Sequence, residues 1–173
     1  DSLVGGRGDD VYYVESLADV VKEDANGGYD IVEASIDYVL PPNVELLRLV
    51  GPAGTSVVGN QRDNWIVGNA SANDLRGGAG DDVLEGGDGA DTLDGGLGGD
   101  LMTGGTGNDV YGVDSTRDRI VELAGGGLDR ARSTVTFRLD DLPEVEELQL
   151  VGAGGAAAYG NDRANLLLGN AAA

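Results

Sequence analysis

Four aspartates stand nine residues apart: Asp82, Asp91, Asp100 and Asp109. Each sits in a glycine-rich segment, so residues 77 to 112 read GGAGDDVLE, GGDGADTLD, GGLGGDLMT and GGTGNDVYG. The pattern is Gly-Gly-x-Gly-x-Asp-x-apolar-x, with Leu84, Leu93, Met102 and Tyr111 at position eight. Carboxylates at this interval, beside bare backbone whose carbonyls can turn inward, offer only oxygen ligands. Such a set selects a hard divalent cation such as calcium.

The interval also dictates what must hold the aspartates. The first six residues of each nine are turn formers, because glycine reaches backbone angles closed to other residues. The last three favour a short strand whose middle side chain faces inward. Two nines make one coil of 18 residues, and coils stack at about 4.8 Å, the spacing of paired strands. Asp82 and Asp100 then become neighbours on one edge, and Asp91 and Asp109 on the other. Two carboxylates about 5 Å apart repel by roughly 3 kcal/mol at an effective dielectric of about 20. A cation shared between them reverses that sign.

The frame runs back through GNQRDNWIV (59–67) and GNASANDLR (68–76), where position six is Asn. These units keep the period but lack the carboxylate; Asp74 is the substitute available there.

These residues resemble the RTX family of hemolysin-type calcium-binding nonapeptide repeats. The resemblance implies an all-β fold, a right-handed parallel β-roll (a β-solenoid) of stacked two-strand coils with calcium in the turns. It implies metal sites made of the position-six carboxylate and main-chain carbonyls of the glycine-rich segment. In this chain those positions are Gly78, Gly80 and Asp82, then Gly87, Gly89 and Asp91, then Gly96, Gly98 and Asp100, then Gly105, Gly107 and Asp109. It further implies the repeat region of a large bacterial protein that is exported by type I secretion and folds on extracellular calcium.

Composition narrows the alternatives. Net charge is −20, from 31 acidic and 11 basic residues. A chain so acidic repels nucleic acid and anionic membranes and attracts cations. It has no Cys and no His. Zinc, haem and iron–sulfur sites lose their usual ligands, and Cys–His or Ser–His nucleophilic catalysis is excluded within this segment. No apolar run approaches the ~20 residues of a membrane span. A phosphate-cradling glycine loop needs a helix N-terminus and usually Lys, and an EF-hand needs a different ligand spacing between flanking helices. Glycosidase chemistry needs two carboxyl groups in a cleft, not on regular turn edges.

The whole chain, 1–173, reads as one continuous roll in three stretches: an irregular unit at 1–58, regular nonapeptides at 59–112, and a second irregular unit at 113–173. GGRGDDVYY (5–13) is a complete nonapeptide with Asp10 and Tyr12 in the key places. Arg7-Gly8-Asp9 within it spells a cell-adhesion tripeptide, but Arg7 simply fills a variable turn position. Residues 104–173 repeat 5–71: GGTGNDVYGV aligns with GGRGDDVYYV, DRIVE with DVVKE, GGLDRA with GGYDIV, and VEELQLVG with VELLRLVG after a two-residue insertion. Residues 43–50 fit a strand, although their apolar spacing also suits a helix. The chain opens and closes mid-frame, on DSLV and GNAAA, as a segment cut from an array would. An adhesin or polysaccharide-binding segment, or a non-catalytic module of a secreted polysaccharide-acting enzyme, are the alternative readings. No catalytic constellation is expected in the segment itself. Calcium and neighbouring repeats of the parent chain are the expected partners.

Overall fold

The structure is a computed structural model that describes residues 1–171. The last two residues of the closing GNAAA segment lie outside the described residues. Every regular element is a β-strand, from Ser2–Val4 to Leu166–Leu168. The segment around 43–50 is a strand too, Leu46–Leu49, with no helix among the described residues.

The strands form two main parallel sheets that face each other. A seven-stranded sheet runs from Val11–Val14 to Arg119–Val121, and an eight-stranded sheet runs from Tyr38–Val39 to Leu166–Leu168. From Ile31–Ala34 to Arg130–Ser133 strands alternate between the two sheets, so each coil contributes one strand to each; toward the ends, Ser2–Val4 with Val20–Lys22 and Phe137–Arg138 with Ala158–Tyr159 form two-stranded sheets instead. This is a parallel β-solenoid.

In the regular stretch the register is the sequence frame. Leu84 lies beside Ile66 and Met102. Leu93 lies beside Leu75 and Tyr111. Each step is 18 residues, one coil. All six of these side chains are fully buried. Each such burial stabilises by roughly 1.5–3 kcal/mol. Two opposed columns of position-eight side chains are therefore the core. The irregular units continue those columns with unequal steps. Tyr12 pairs with Val32, Val32 with Leu47, and Leu47 with Ile66, steps of 20, 15 and 19 residues. The irregular coils add buried apolar residues of their own: Leu40, Val44 and Leu49 in the first unit, and Leu139, Val145 and Leu150 in the second.

The turns depend on glycine in two ways. Gly78, Gly80, Gly87 and Gly89 take φ between +107° and +125°, which side chains with a Cβ rarely adopt. Gly86, at position one, needs space instead. A Cβ there would lie 2.6 Å from the Gly104 carbonyl of the next coil.

Candidate metal centre

The position-six aspartates form two ladders, one on each edge of the solenoid. On one edge, the Asn64 N–H donates to Asp82 Oδ1 at 2.7 Å, the Asp82 N–H to Asp100 Oδ1 at 2.8 Å, and the Asp100 N–H to Asp118 Oδ1 at 3.2 Å. On the other, the Asn73 N–H donates to Asp91 Oδ1 at 2.7 Å, the Asp91 N–H to Asp109 Oδ1 at 2.8 Å, and the Asp109 N–H to Asp129 Oδ1 at 2.8 Å. One carboxylate oxygen thus joins each coil to the one before it. Sequence spacing had placed Asp82 beside Asp100 and Asp91 beside Asp109, and the structure brings both pairs together.

The second oxygen has no such role. The Oδ2 atoms of Asp82, Asp91, Asp100 and Asp109 are buried without a hydrogen-bond partner among the described residues. All four residues are at most 1% exposed. A buried carboxylate oxygen left unpaired is costly. Two stacked on each edge make donor sets that are incomplete without a cation. The Asp82 Oδ2 converges with the Gly95 carbonyl on the space beside the Gly77 Cα, and the Asp91 Oδ2 with the Gly104 carbonyl beside the Gly86 Cα. Carboxylate and carbonyl oxygens with no nitrogen or sulfur suit a hard cation, so the residues present fit calcium.

Electrostatics agrees with the geometry. Burial first, and then the neighbouring carboxylates, push Asp82, Asp91 and Asp100 up to about 6. Burial also raises Asp109. Each therefore resists ionisation while nothing neutralises it.

Two turn aspartates, Asp118 at the end of one ladder and Asp19 in the first unit, behave differently. Asp118 accepts the Asp114 and Ser115 N–H groups on Oδ2, at 3.1 and 3.0 Å. Asp19 does the same for Glu15 and Ser16, at 3.3 and 3.1 Å. Both are satisfied within the chain and close their turns as side-chain caps. The asparagines at position six are also self-sufficient in part. Asn64 accepts the Asn60 N–H at 2.7 Å and donates to the Val44 carbonyl at 3.2 Å. Asp74, the sequence's substitute ligand, forms a two-pronged bond with Arg76 on the strand surface instead, at 3.2 and 2.9 Å.

Sequence reasoning missed part of the acidic apparatus. Asp109, Glu122 and Asp129 bring one oxygen each within 4.8 Å of one another, and so do Asp10, Glu23 and Asp30. The missed signal was the alignment of DVVKE with DRIVE and of GGYDIV with GGLDRA. It places these acids at matching positions in both copies. The Tyr12 hydroxyl donates to Glu23, and the Tyr111 hydroxyl to Glu122. Glu23 sits below the usual carboxylate range, held there by Tyr12 and by the Asp24 and Gly6 N–H groups. Glu122 is pushed up to about 8 by burial and by the adjoining Asp129 carboxylate.

Comparison with known proteins matches this architecture. Residues 1–21, 58–93 and 77–111 match the sequence pattern of a family described as the RTX calcium-binding nonapeptide repeat, in four copies. Those stretches carry RTX calcium-binding repeats. The chain's fold, a helix-free parallel solenoid with a nine-residue frame, is the one the sequence resemblance implied. A 65-residue stretch of the chain is 40% identical to an endo-1,3-1,4-beta-glycanase, ExsH, of Rhizobium meliloti (strain 1021). That stretch is 38% of this chain and 14% of the glycanase, so the chain corresponds to a small part of its relative. No helix of the described residues is long and apolar enough to cross a membrane.

Proposed function

We propose that this segment is a folding module of a secreted protein, held unfolded where calcium is scarce and folded by calcium outside the cell. One observation carries the reading: the buried, unpartnered Oδ2 atoms of Asp82 and Asp100 on one edge and of Asp91 and Asp109 on the other. The residues proposed to hold calcium are these aspartates with the carbonyls of Gly78, Gly80, Gly87, Gly89, Gly96, Gly98, Gly105 and Gly107. Bound calcium supplies the positive charge that the stacked carboxylates lack. Without it the chain keeps its repulsion and its glycine entropy, each glycine costing roughly 0.5–1 kcal/mol relative to Ala. Extracellular calcium modules bind at about 10⁻⁴–10⁻³ M, weakly enough to stay empty in a cytosol. Binding free energy then becomes folding free energy. Export through a type I system accords with an acidic chain kept unfolded until it leaves the cell.

Circular dichroism tests this. The segment in chelator should give a disordered spectrum, and about millimolar calcium should give a β-spectrum. Magnesium should substitute poorly, because it demands tight octahedral geometry and keeps its water. A β-spectrum unchanged by chelator would overturn the reading.

A second reading builds on the first. The likeness to a glycanase supports a parent that acts on polysaccharide, with this segment as a non-catalytic module. A stand-alone sugar-binding role has less support. It asks for exposed aromatics in a row, whereas half-exposed Trp65 has Leu46 and Val83 as its register neighbours.

A further inference from the structure

The two three-carboxylate clusters stand at corresponding places in the solenoid, where a complete nonapeptide passes into an irregular coil. Counting by coils shows what changes there. Position one of successive turns on this edge is Gly86, then Gly104, then Glu122, each 18 residues after the last. The first copy repeats the step, from Gly5 to Glu23. Glutamate stands where the next glycine would be.

Its side chain brings a carboxylate to the space that a position-one carbonyl borders in the regular turns. Beside Gly77 and Gly86, the oxygens that close the space are an Asp Oδ2 and the position-one carbonyl of the next coil. Beside Gly104 they are Asp109 Oδ2, the Tyr111 hydroxyl and Glu122 Oε1. Beside Gly5 they are Asp10 Oδ2, the Tyr12 hydroxyl and Glu23 Oε2. At both junctions a glutamate carboxylate and a tyrosine hydroxyl stand among the atoms nearest that space.

The cluster is also short of partners. Asp109 and Asp129 are 0% and 1% exposed, and the Oδ2 of each has no hydrogen-bond partner among the described residues. Asp30 matches Asp129 in the first copy, 0% exposed with an unpartnered Oδ2. The three carboxylate oxygens of each cluster lie within 4.8 Å of one another. Oxygens bound at about 2.4 Å to one calcium ion lie at most about 4.8 Å apart, so a single ion could span each set. A groove lined by Asn108, Asp109, Asp129, Glu146 and Asn165 gives a path from solvent to the second cluster.

We infer that Asp109, Glu122 and Asp129, and equally Asp10, Glu23 and Asp30, form cation sites distinct from those between regular turns, with higher affinity for calcium. The inference rests on the calcium reading above and adds an order of loading to it. Affinity in oxygen sites rises with the number of charged ligands. These sites offer three carboxylates where a pair of regular turns offers two. Calcium therefore fills the junctions first, and each filled junction fixes the coil on which the neighbouring regular turns stack.

Calorimetric titration of the whole segment with calcium, alongside E122Q, E23Q and the double variant, tests this. Glutamine keeps an oxygen to accept the tyrosine hydroxyl and loses only the charge. The unaltered segment should show a tight class of two sites ahead of a weaker class. E122Q should move one of the two tight sites at least about tenfold weaker, the scale seen when even an outer-sphere partner of a metal is lost. The double variant should leave no tight class. Terbium luminescence excited through tyrosine gives an independent readout, since Tyr12 and Tyr111 touch the two glutamates. It should fall in steps across the single and double variants. If the segment binds calcium but E122Q and E23Q leave both the tight class and the luminescence unchanged, the junction inference is overturned and the calcium reading stands. If no calcium binds, both fail.

Discussion

The regular coils and the irregular coils solve the same problem with opposite resources. Both must stack parallel strands and satisfy the turns between them. Residues 77–112 use a regular coil whose buried apolar side chains all stand at position eight, and their turns keep buried carboxylate oxygens without partners. Residues 14–58 and 113–159 use coils of unequal length with additional buried leucines and valines. There the turn acids Asp19 and Asp118 take backbone N–H groups from their own turns. Apolar burial and self-contained hydrogen bonds hold the irregular coils except at their junctions with complete nonapeptides, where Asp30 and Asp129 also keep a buried, unpartnered oxygen. The regular coils leave part of their stabilisation to an ion. Dependence on calcium should therefore be uneven along one continuous sheet pair, and the variants below probe that unevenness.

The largest effect belongs to the core that both regions share. Leu84 is fully buried between Ile66 and Met102. Leu84→Asp removes roughly 1.5–3 kcal/mol of burial and places an unpaired carboxylate in an apolar column, which costs more still. The variant should lack β-signal in dichroism at every calcium concentration, because its ligands are intact and its core is not. Full recovery by calcium would mean that position eight is not the core.

A smaller and more selective effect belongs to the ligands. Asp100→Ala loses both the bond from the Asp82 N–H and the unpartnered Oδ2. Asp100→Asn keeps an oxygen for that N–H and loses only the charge. Both should fold at higher calcium than the unaltered segment, since mass action offsets a weakened site. Asn should shift the calcium midpoint less than Ala does. Equal midpoints for all three proteins in a calcium titration would remove Asp100 from the site.

How much of this was legible in the sequence follows from what repeats. The 18-residue coil, the position-eight core and the pairing of Asp82 with Asp100 and of Asp91 with Asp109 came from a fixed interval, and an interval survives without knowledge of neighbours. The division of labour within one carboxylate did not. Which oxygen of Asp100 meets the Asp82 N–H depends on turn geometry that no spacing encodes. Glu122 was hidden for another reason. It stands at a glycine position, and a frame defined by glycine reads a glutamate there as a break. Asp129 falls 20 residues after Asp109, and that two-residue excess takes it out of the frame.

Acidity should separate the metal-free and metal-bound states. Asp82, Asp91 and Asp100 are raised to about 6 in the fold, chiefly by burial, against an ordinary carboxylate near 3.8. The fold therefore binds their protons more tightly than the unfolded chain does. The stability this contributes to the metal-free fold is complete below the ordinary value. It is lost as pH rises from about 4 through about 6. In chelator, the β-signal should be stronger at about pH 4.5 than at about pH 8. In calcium the order should reverse, because protons and calcium compete for the same oxygens. A metal-free signal that grows toward alkaline pH would contradict the burial of these groups.

The finest test sets Asp118 against Asp100, two acids adjacent in one ladder. Asp118 accepts the Asp100 N–H on Oδ1 and two further N–H groups on Oδ2, so no oxygen of its carboxylate is idle. In Asp118→Asn one oxygen becomes an amide that points donors at donors. At least one N–H bond is lost, worth about 0.5–1.5 kcal/mol. For a chain of this length that lowers the melting temperature by roughly 2–4 °C per kcal/mol. Measured at saturating calcium, Asp118→Asn should melt a few degrees lower and bind as many ions as the unaltered segment. Asp100→Asn should reduce the calcium taken up or its affinity, and should relieve the metal-free chain of a buried charge. The two substitutions are chemically identical and one coil apart. Opposite signatures would mean that the free oxygen, not the carboxylate as such, makes a turn a calcium site. If Asp118→Asn lost calcium and kept its melting temperature, Asp118 would be a ligand, and the line drawn between capping and ligating aspartates would be in the wrong place.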